Sequence, residues 1–260
     1  MRLDDYRRLG VERDGDVLRV TMRGPGDGVE HTEWSRLFAD VRGSDVRVVV
    51  ITGVGEVFMP LADMAWYATV EEAEWLRLMR EAKWLLSDMA ALPQPIIMAM
   101  NGDAVGLGAS ILSYGDIIVA AEGAKISDAH MSMGLVAGDG GTMSLPLSMG
   151  LHRAKQFYLL GEPLTAEQLH EMGVVARVVP RGDLDKAVAE VTDHLLSLPD
   201  EALQWTKMTL NRTLQLSTLL TAEPALGHEG WSWHLRTAQA GMDRLRHEHG
   251  SAEGGEDLLG

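Results

Sequence analysis

The chain has no cysteine among its 260 residues. This absence excludes disulfides, thiolate metal sites and a cysteine nucleophile. The sequence also has no apolar run near the ~20 residues that a membrane-spanning helix requires. Its first 16 residues lack the apolar core of a secretory signal. We therefore expect a cytoplasmic protein with no membrane partner.

Basic residues are scarce, with 23 Lys and Arg against 38 Asp and Glu, for a formal net charge of −15. A phosphate backbone would be repelled at long range, so we expect no nucleic-acid partner. The negative net charge does not exclude a local basic pocket, and an anionic ligand is therefore compatible with the sequence. Apolar residues make up 46% of the chain, as in globular proteins, and a chain of this length can bury a substantial core.

Strand-like and helical patterns alternate over the first 180 residues. The β-branched apolar runs at 46–53 and 94–102 predict strands buried on both faces. The apolar spacing over 71–92 predicts a long amphipathic helix that ends before Pro93. From residue 184 onward the spacing is helical. Together these patterns predict an α/β fold with a helical C-terminal region.

Three stretches occur in a specific order between residues 15 and 180. They are "VRVVVITGVGEVFMPLADM", "PIIMAMNGDAVGLGASILSYGDIIVAAEGAKIS" and the long segment that begins "MGLVAGDGGTMSLPLSMG". In this order they resemble the crotonase (enoyl-CoA hydratase/isomerase) superfamily. The resemblance implies a core of ββα units arranged as a spiral over residues 1–195, and a helical region over 196–248 that supports a homotrimer or hexamer. The polar, glycine-rich tail at 249–260 predicts disorder.

The resemblance also implies an oxyanion hole made of two backbone N–H groups. One would belong to Ala62, in "PLAD", and the other to Leu107, in "GLG", where the family carries three glycines. A side chain at position 107 restricts φ and narrows the space above the hole, but it leaves the N–H able to donate. Preorganised donors of this kind contribute ~3 kcal/mol each to transition-state binding.

Two positions depart from the hydratases of the family. Ser110 and His130 stand where a hydratase carries the two glutamates that place water across a double bond. Simple hydration of an enoyl-CoA is therefore not expected. A histidine, unlike a serine hydroxyl, titrates near neutral pH, at ~6.5 when unperturbed.

A smaller branch of the superfamily, the β-diketone hydrolases typified by oxocamphor hydrolase, is more similar at these positions. It carries a histidine, an aspartate nine residues later and a glutamate in a C-terminal "HE" pair, which correspond to His130, Asp139 and Glu229. The branch can carry a further histidine where this chain has Leu107. The resemblance implies retro-Claisen cleavage of a cyclic β-diketone, with His130 activating water and Asp139 orienting its ring.

Two other functions stay open at this point. One is an acyl-CoA-dependent hydrolase, isomerase or lyase, with a coenzyme A thioester as substrate. The other is a non-hydrolytic role, such as a biosynthetic cyclase or an inactive scaffold. No cofactor is expected for the diketone hydrolase, and no metal, since the sequence has no HExxH motif.

Four residues are further candidates for contact with the small-molecule substrate: His31, Met64, Trp66 and Ser110. Tryptophan and methionine at helical spacing pack more often in a core, and a histidine that opens a helix lies more often at the surface, so those roles stay open. Apolar residues in the C-terminal region predict an oligomer interface. They are Trp231, Trp233, Leu235 and Met242.

Overall fold

Two β-sheets surrounded by helices form the described part of the chain. The structure is a computed structural model that describes residues 6–24, 28–60, 66 and 69–250, with the backbone alone for 237–239 and 241–250. The strands are β1 (Leu9–Asp14), β2 (Val17–Met22), β3 (Val48–Gly53), β4 (Val57–Met59), β5 (Ile96–Met100), β6 (Asp103–Val105), β7 (Ile117–Ala121), β8 (Lys125–Ser127), β9 (Leu164–Thr165) and β10 (Arg177–Val179). The α-helices are α1 (Gly28–Arg42), α2 (Glu72–Ala91), α3 (Leu107–Ser113), α4 (Gly141–Ser148), α5 (Leu151–Leu160), α6 (Ala166–Glu171), α7 (Leu184–Leu196), α8 (Asp200–Leu210) and α9 (Arg212–Gly250).

Successive strand pairs divide between the two sheets. The larger sheet has the order β1-β2-β3-β5-β7-β10, and the smaller has the order β4-β6-β8-β9. Each of the pairs β3/β4, β5/β6 and β7/β8 gives its first strand to the larger sheet and its second to the smaller one. All neighbours pair in parallel except β1 with β2 and β8 with β9. This arrangement confirms the predicted α/β class and the spiral of ββα units.

The chain turns sharply wherever it passes from one sheet to the other. The side-chain amide of Asn101 donates to the carbonyls of Gly53 and Val57, and its oxygen accepts the Gly53 N–H at 3.1 Å. A Cβ on Gly102 would lie 1.8 Å from the carbonyl oxygen of Glu56. Only glycine permits this approach, so the corner of one unit packs directly on the corner of the next.

The C-terminal helices pack on the core rather than apart from it. Ala222 and Leu226 of α9 belong to the main hydrophobic core. Trp75 of α2 stacks on Trp233 of α9, with ring centroids 4.8 Å apart and an interplanar angle of 8°. The prediction that Trp233 is exposed at an interface is therefore wrong, because this stack buries it. Trp231 and Leu235 are exposed as predicted, and the side chain of Met242 lies outside the described residues.

Several element boundaries differ from the sequence-based prediction. Strand β1 was not expected, yet it pairs with β2 through a turn in which Gly15 adopts φ 58°. The region 200–214 divides into two helices at Asn211. The predicted tail begins within the end of α9, and residues 251–260 lie outside the described residues. Within the described ranges, no helix is both long and apolar enough to cross a membrane.

Candidate active site

His130 follows β8 and precedes the short 3₁₀ helix Met131–Met133. Two residues upstream, Asp128 holds it in two ways. One carboxylate oxygen accepts the His130 backbone N–H at 3.0 Å, and the other lies 2.9 Å from the ring nitrogen Nδ1. This local turn fixes both the backbone and the imidazole plane, so Nε2 points to the opposite side of the ring.

The prediction that Asp139 orients the imidazole is wrong in this geometry. The Asp139 carboxylate lies 3.8 Å from Nε2, which is beyond hydrogen-bond distance, whereas Asp128 occupies Nδ1. Asp128, and not Asp139, occupies Nδ1 because only one residue separates Asp128 from His130 in the chain. The segment "SDAH" carried the signal for this contact, since an aspartate commonly bonds the backbone two residues later.

Asp139 is held by Ser110 instead. The Ser110 hydroxyl donates to Asp139 at 2.7 Å and accepts the Gly141 N–H at 3.1 Å. These two bonds tie helix α3 to the loop that precedes α4. Ser110 is fully buried, and its hydroxyl donates its proton to the hydrogen bond with Asp139. In this structure Ser110 therefore positions Asp139.

Glu229 reaches the same imidazole from helix α9. Its Oε1 lies 3.8 Å from Nε2 of His130, and its Oε2 has no hydrogen-bond partner among the described residues. A Cβ on Gly138 would lie 2.6 Å from Oε2 and 2.7 Å from the carbonyl of Ala225. Glycine at 138 therefore allows α9 to approach the loop that carries Asp139.

Burial and mutual charge shift the pKa of all three groups. Burial by itself lowers the pKa of His130, but the charge of Asp139, the hydrogen bond to Asp128 and the charge of Glu229 together raise it to about 10. Burial raises the pKa of Glu229 to about 8, opposed by His130 and reinforced by Asp139. Burial also raises the pKa of Asp139. These shifts favour the protonated imidazole and the neutral form of Glu229.

The predicted oxyanion donor Leu107 lies at the N-terminus of helix α3. Leu107 is the first residue of α3, where backbone N–H groups have no intrahelical acceptor. Gly106, immediately before it, adopts φ 57°, a left-handed conformation that favours glycine. A Cβ on Gly108 would lie 2.5 Å from Cβ of Met59, so this turn lies against the end of β4. Ala62, three residues beyond Met59, lies outside the described residues.

Similarity to known proteins identifies the family. Residues 28–228 match the sequence family described as enoyl-CoA hydratase/isomerase. The chain belongs to the crotonase superfamily. It is 39% identical over 141 residues to the 1,2-epoxyphenylacetyl-CoA isomerase of Escherichia coli, a match that spans 54% of each chain. It is thus an enzyme of the crotonase superfamily.

Two solved crotonase structures superpose on most of the chain. One is an enoyl-CoA hydratase/isomerase from Mycobacterium paratuberculosis, 29% identical, with 88% of this chain and 95% of that one covered at a TM-score of 0.84. The other is a β-diketone hydrolase from the cyanobacterium Anabaena, bound to (S)-3-oxocyclohexyl acetic acid. It is 30% identical, with 89% of this chain and 96% of that one covered, also at a TM-score of 0.84.

Two of the remaining substrate-binding candidates, His31 and Trp66, lie at or beside the first turn of helix α1 in this crotonase fold. His31 belongs to that turn and is half-buried. A Cβ on Gly28 would lie 3.2 Å from the Trp66 ring. Trp66 and Met133 each pack against the apolar cluster that contains Trp75, so this cluster joins Trp66 to the segment after His130. Met64 lies outside the described residues.

Metal binding has no structural support in the parts of the crotonase chain that the structure describes. Among those residues, no group of three or more His, Cys, Asp or Glu side chains is arranged to hold a metal ion. The carboxylates around His130 instead contact the imidazole and the Ser110 hydroxyl.

Proposed function

We propose that this crotonase is a hydrolase that cleaves a C–C bond of a cyclic β-diketone. The observation that carries the proposal is the convergence of three buried carboxylates on one imidazole: Asp128 on Nδ1, and Asp139 and Glu229 on the side of Nε2. Such a site can both accept and donate protons at one place, which hydrolytic cleavage of a diketone needs.

The directions of the pKa shifts support one order of proton transfers. The protonated imidazole is an acid and not a base, so the ionised form of the Asp139–Glu229 pair takes a proton from water. The resulting hydroxide attacks one carbonyl carbon, and the bond from that carbon to the central carbon breaks. The bonding electrons pass into an enolate, and Nε2–H of His130 protonates the enolate carbon. The proton held by the carboxylate pair then restores the imidazolium.

Asp128 and Leu107 have supporting roles in this mechanism. The Asp128 carboxylate keeps Nε2 directed at the carboxylate pair and stabilises the positive charge on the ring. The N–H of Leu107, together with that of Ala62, stabilises the oxyanion that forms when hydroxide attacks. The reaction consumes one water and yields a keto acid, and it requires neither a metal nor an organic cofactor.

The Anabaena relative supports this proposal, because it is a β-diketone hydrolase that covers nearly the whole chain. The names of other relatives favour a second candidate, an isomerase or hydratase that acts on an acyl-CoA. The E. coli relative, for example, is a 1,2-epoxyphenylacetyl-CoA isomerase. In this second candidate the same imidazole and carboxylates would move a proton on the acyl chain next to a thioester.

A substrate screen separates the two candidates. We expect the protein to consume one or more cyclic 1,3-diketones, seen as loss of the enolate absorbance with release of one acid equivalent, and to do so after dialysis against a chelator. We expect millimolar coenzyme A and acetyl-CoA to leave its melting temperature unchanged. Stabilisation by these ligands, with no cleavage across the diketone panel, would overturn the proposal and favour the acyl-CoA enzyme.

A further inference from the structure

Tyr158 directs its hydroxyl at the polar end of the site from helix α5. A Cβ on Gly141 would lie 2.1 Å from the Tyr158 hydroxyl and 3.1 Å from the Ser110 hydroxyl. Both hydroxyl oxygens therefore lie close to the position that a Cβ of residue 141 would occupy, and only glycine has no atom there. The ring of Tyr158 packs against the main core and is half-buried. Neither the family resemblance nor the sequence patterns pointed to this residue.

Among the described residues, the Tyr158 hydroxyl is a hydrogen-bond donor that has no acceptor. It forms no hydrogen bond with any residue in the described ranges, whereas the nearby Tyr114 hydroxyl is paired with Thr218 at 2.9 Å. Burial, followed by the charges of Asp139 and Asp128, raises the pKa of Tyr158 well above its usual value of 10. The shift favours the protonated hydroxyl, which can donate a hydrogen bond.

During cleavage of a diketone, negative charge develops on two different carbonyl oxygens, and each needs a hydrogen-bond donor. Attack by hydroxide places charge on the first carbonyl oxygen, which the oxyanion hole at Leu107 binds. Cleavage then moves charge to the second carbonyl oxygen as the enolate forms. Two N–H groups that converge on one point cannot serve both oxygens. A thioester has one carbonyl oxygen that gains charge, so this second requirement is particular to a diketone.

The position of Tyr158 suits that second oxygen. Ser110 comes three residues after Leu107 on α3, so the two lie on one face of the helix, about 5 Å apart. The Tyr158 hydroxyl lies near Ser110, at the end of this face away from Leu107. We propose that the Tyr158 hydroxyl donates a hydrogen bond to the second carbonyl oxygen of the substrate and stabilises the enolate. The hydroxyl keeps its proton throughout, and His130 protonates the carbon. This inference rests on the proposed diketone hydrolase function.

The first test compares Tyr158→Phe with Tyr114→Phe as a matched control. Tyr158→Phe should lower kcat by about 100-fold, the cost of one oxyanion donor, with little change in melting temperature because no protein hydrogen bond is lost. Tyr114→Phe loses its bond to Thr218 and should lower the melting temperature with little change in kcat. A Tyr158→Phe enzyme with kcat within threefold of the wild type would overturn the role of Tyr158 and leave the hydrolase function intact.

A binding measurement keeps the inference testable apart from turnover. In a His130→Ala background, where turnover should be slowed by about 10²–10⁴-fold, the enolate of cyclohexane-1,3-dione can be titrated through its ultraviolet band. Adding Tyr158→Phe should weaken its binding at least about tenfold, and an unchanged Kd would overturn the inference. A wild-type enzyme that cleaves no cyclic 1,3-diketone would overturn the proposed function first, and this inference with it.

Discussion

Nε2 of His130 lies 3.8 Å from Oε1 of Glu229, although one residue follows strand β8 and the other belongs to the last helix. Both side chains are buried. The pair therefore brings the C-terminal helical region to the candidate active site, since α9 supplies one of the three carboxylates around His130. The stack of Trp75 on Trp233, one helical turn after Glu229, holds α9 in this position.

At alkaline pH, activity should first increase and then decrease as the pH is raised. Turnover needs an ionised carboxylate, which Glu229 provides above its pKa of about 8, and a protonated imidazole, which His130 provides below about 10. We expect a bell-shaped profile of kcat/KM against pH with limbs near these two values. A rising limb near pH 6.5 would instead identify neutral His130 as the base and overturn the assignment of proton transfers.

Replacing Asp128 with asparagine should lower kcat at least about tenfold and move the falling limb of the pH profile to lower pH. The loss of a carboxylate at Nδ1 lowers the pKa of His130 and weakens its orientation. Asp103→Asn is a suitable control, because Asp103 also accepts a backbone N–H, from Lys125, but does so at an exposed position. Equal kinetics in the two variants would contradict the role of Asp128.

Glu229→Gln should lower kcat and also change how stability depends on pH. The pKa of Glu229 is raised from 4.5 to about 8 on folding, so the free energy of unfolding falls as pH rises from 4.5 to 8. The raised pKa of His130 adds stability below pH 6.5 that is lost as pH rises to about 10. We therefore compare the melting temperature of Glu229→Gln with that of the wild type at each pH. This difference should become more positive by about 3 °C or more when the pH is raised from 5 to 8.5.

Glu223→Gln gives the matched control for that experiment. Glu223 belongs to the same helix but is exposed, and its pKa is lowered by its hydrogen bond to Lys83. Calorimetric scans of this variant should follow the wild-type pH dependence closely. If Glu229→Gln does the same, then Glu229 is ionised in the folded protein at neutral pH, contrary to our assignment.

His130→Ala and Asp139→Asn should not have additive effects on kcat. His130→Ala removes the group that donates the proton and should lower kcat by about 10²–10⁴-fold. Asp139→Asn removes one carboxylate of the pair that accepts the proton from water. Because both changes disable one proton-transfer unit, the double variant should lose little more than His130→Ala. Losses in kcat that multiply in the double variant would show that the residues act independently.

The protein should behave as a trimer or hexamer in solution. Exposed apolar side chains are concentrated on the C-terminal helices, and such surfaces usually mark an interface. They include Trp205, Leu210, Leu216, Leu219, Leu220, Trp231 and Leu235. Light scattering at micromolar concentration should give three or six times the chain mass of 28.4 kDa. A monomeric mass would contradict this expectation.

The local pattern of the sequence predicted most of the fold. Continuous apolar runs predicted β3 and β5, because a strand that is buried on both faces has apolar residues at successive positions. The apolar period of 71–92 predicted α2 to within one residue at each end. Strand β1 was not predicted, since only its first three residues are buried and its pairing depends on the neighbouring strand.

The sequence by itself determined the main candidate residues, whereas the tertiary structure decided their partners. Position in the family motifs singled out His130, Asp139 and Glu229, and the structure brings all three together. The contact of Asp128 with Nδ1 is local, and the segment "SDAH" carried its signal, whereas the approach of Tyr158 to Gly141 joins distant segments and had no signal in the sequence. Hydrogen bonds and pKa values depend on distances and burial between distant segments, and these exist only once the helices have packed around the two sheets.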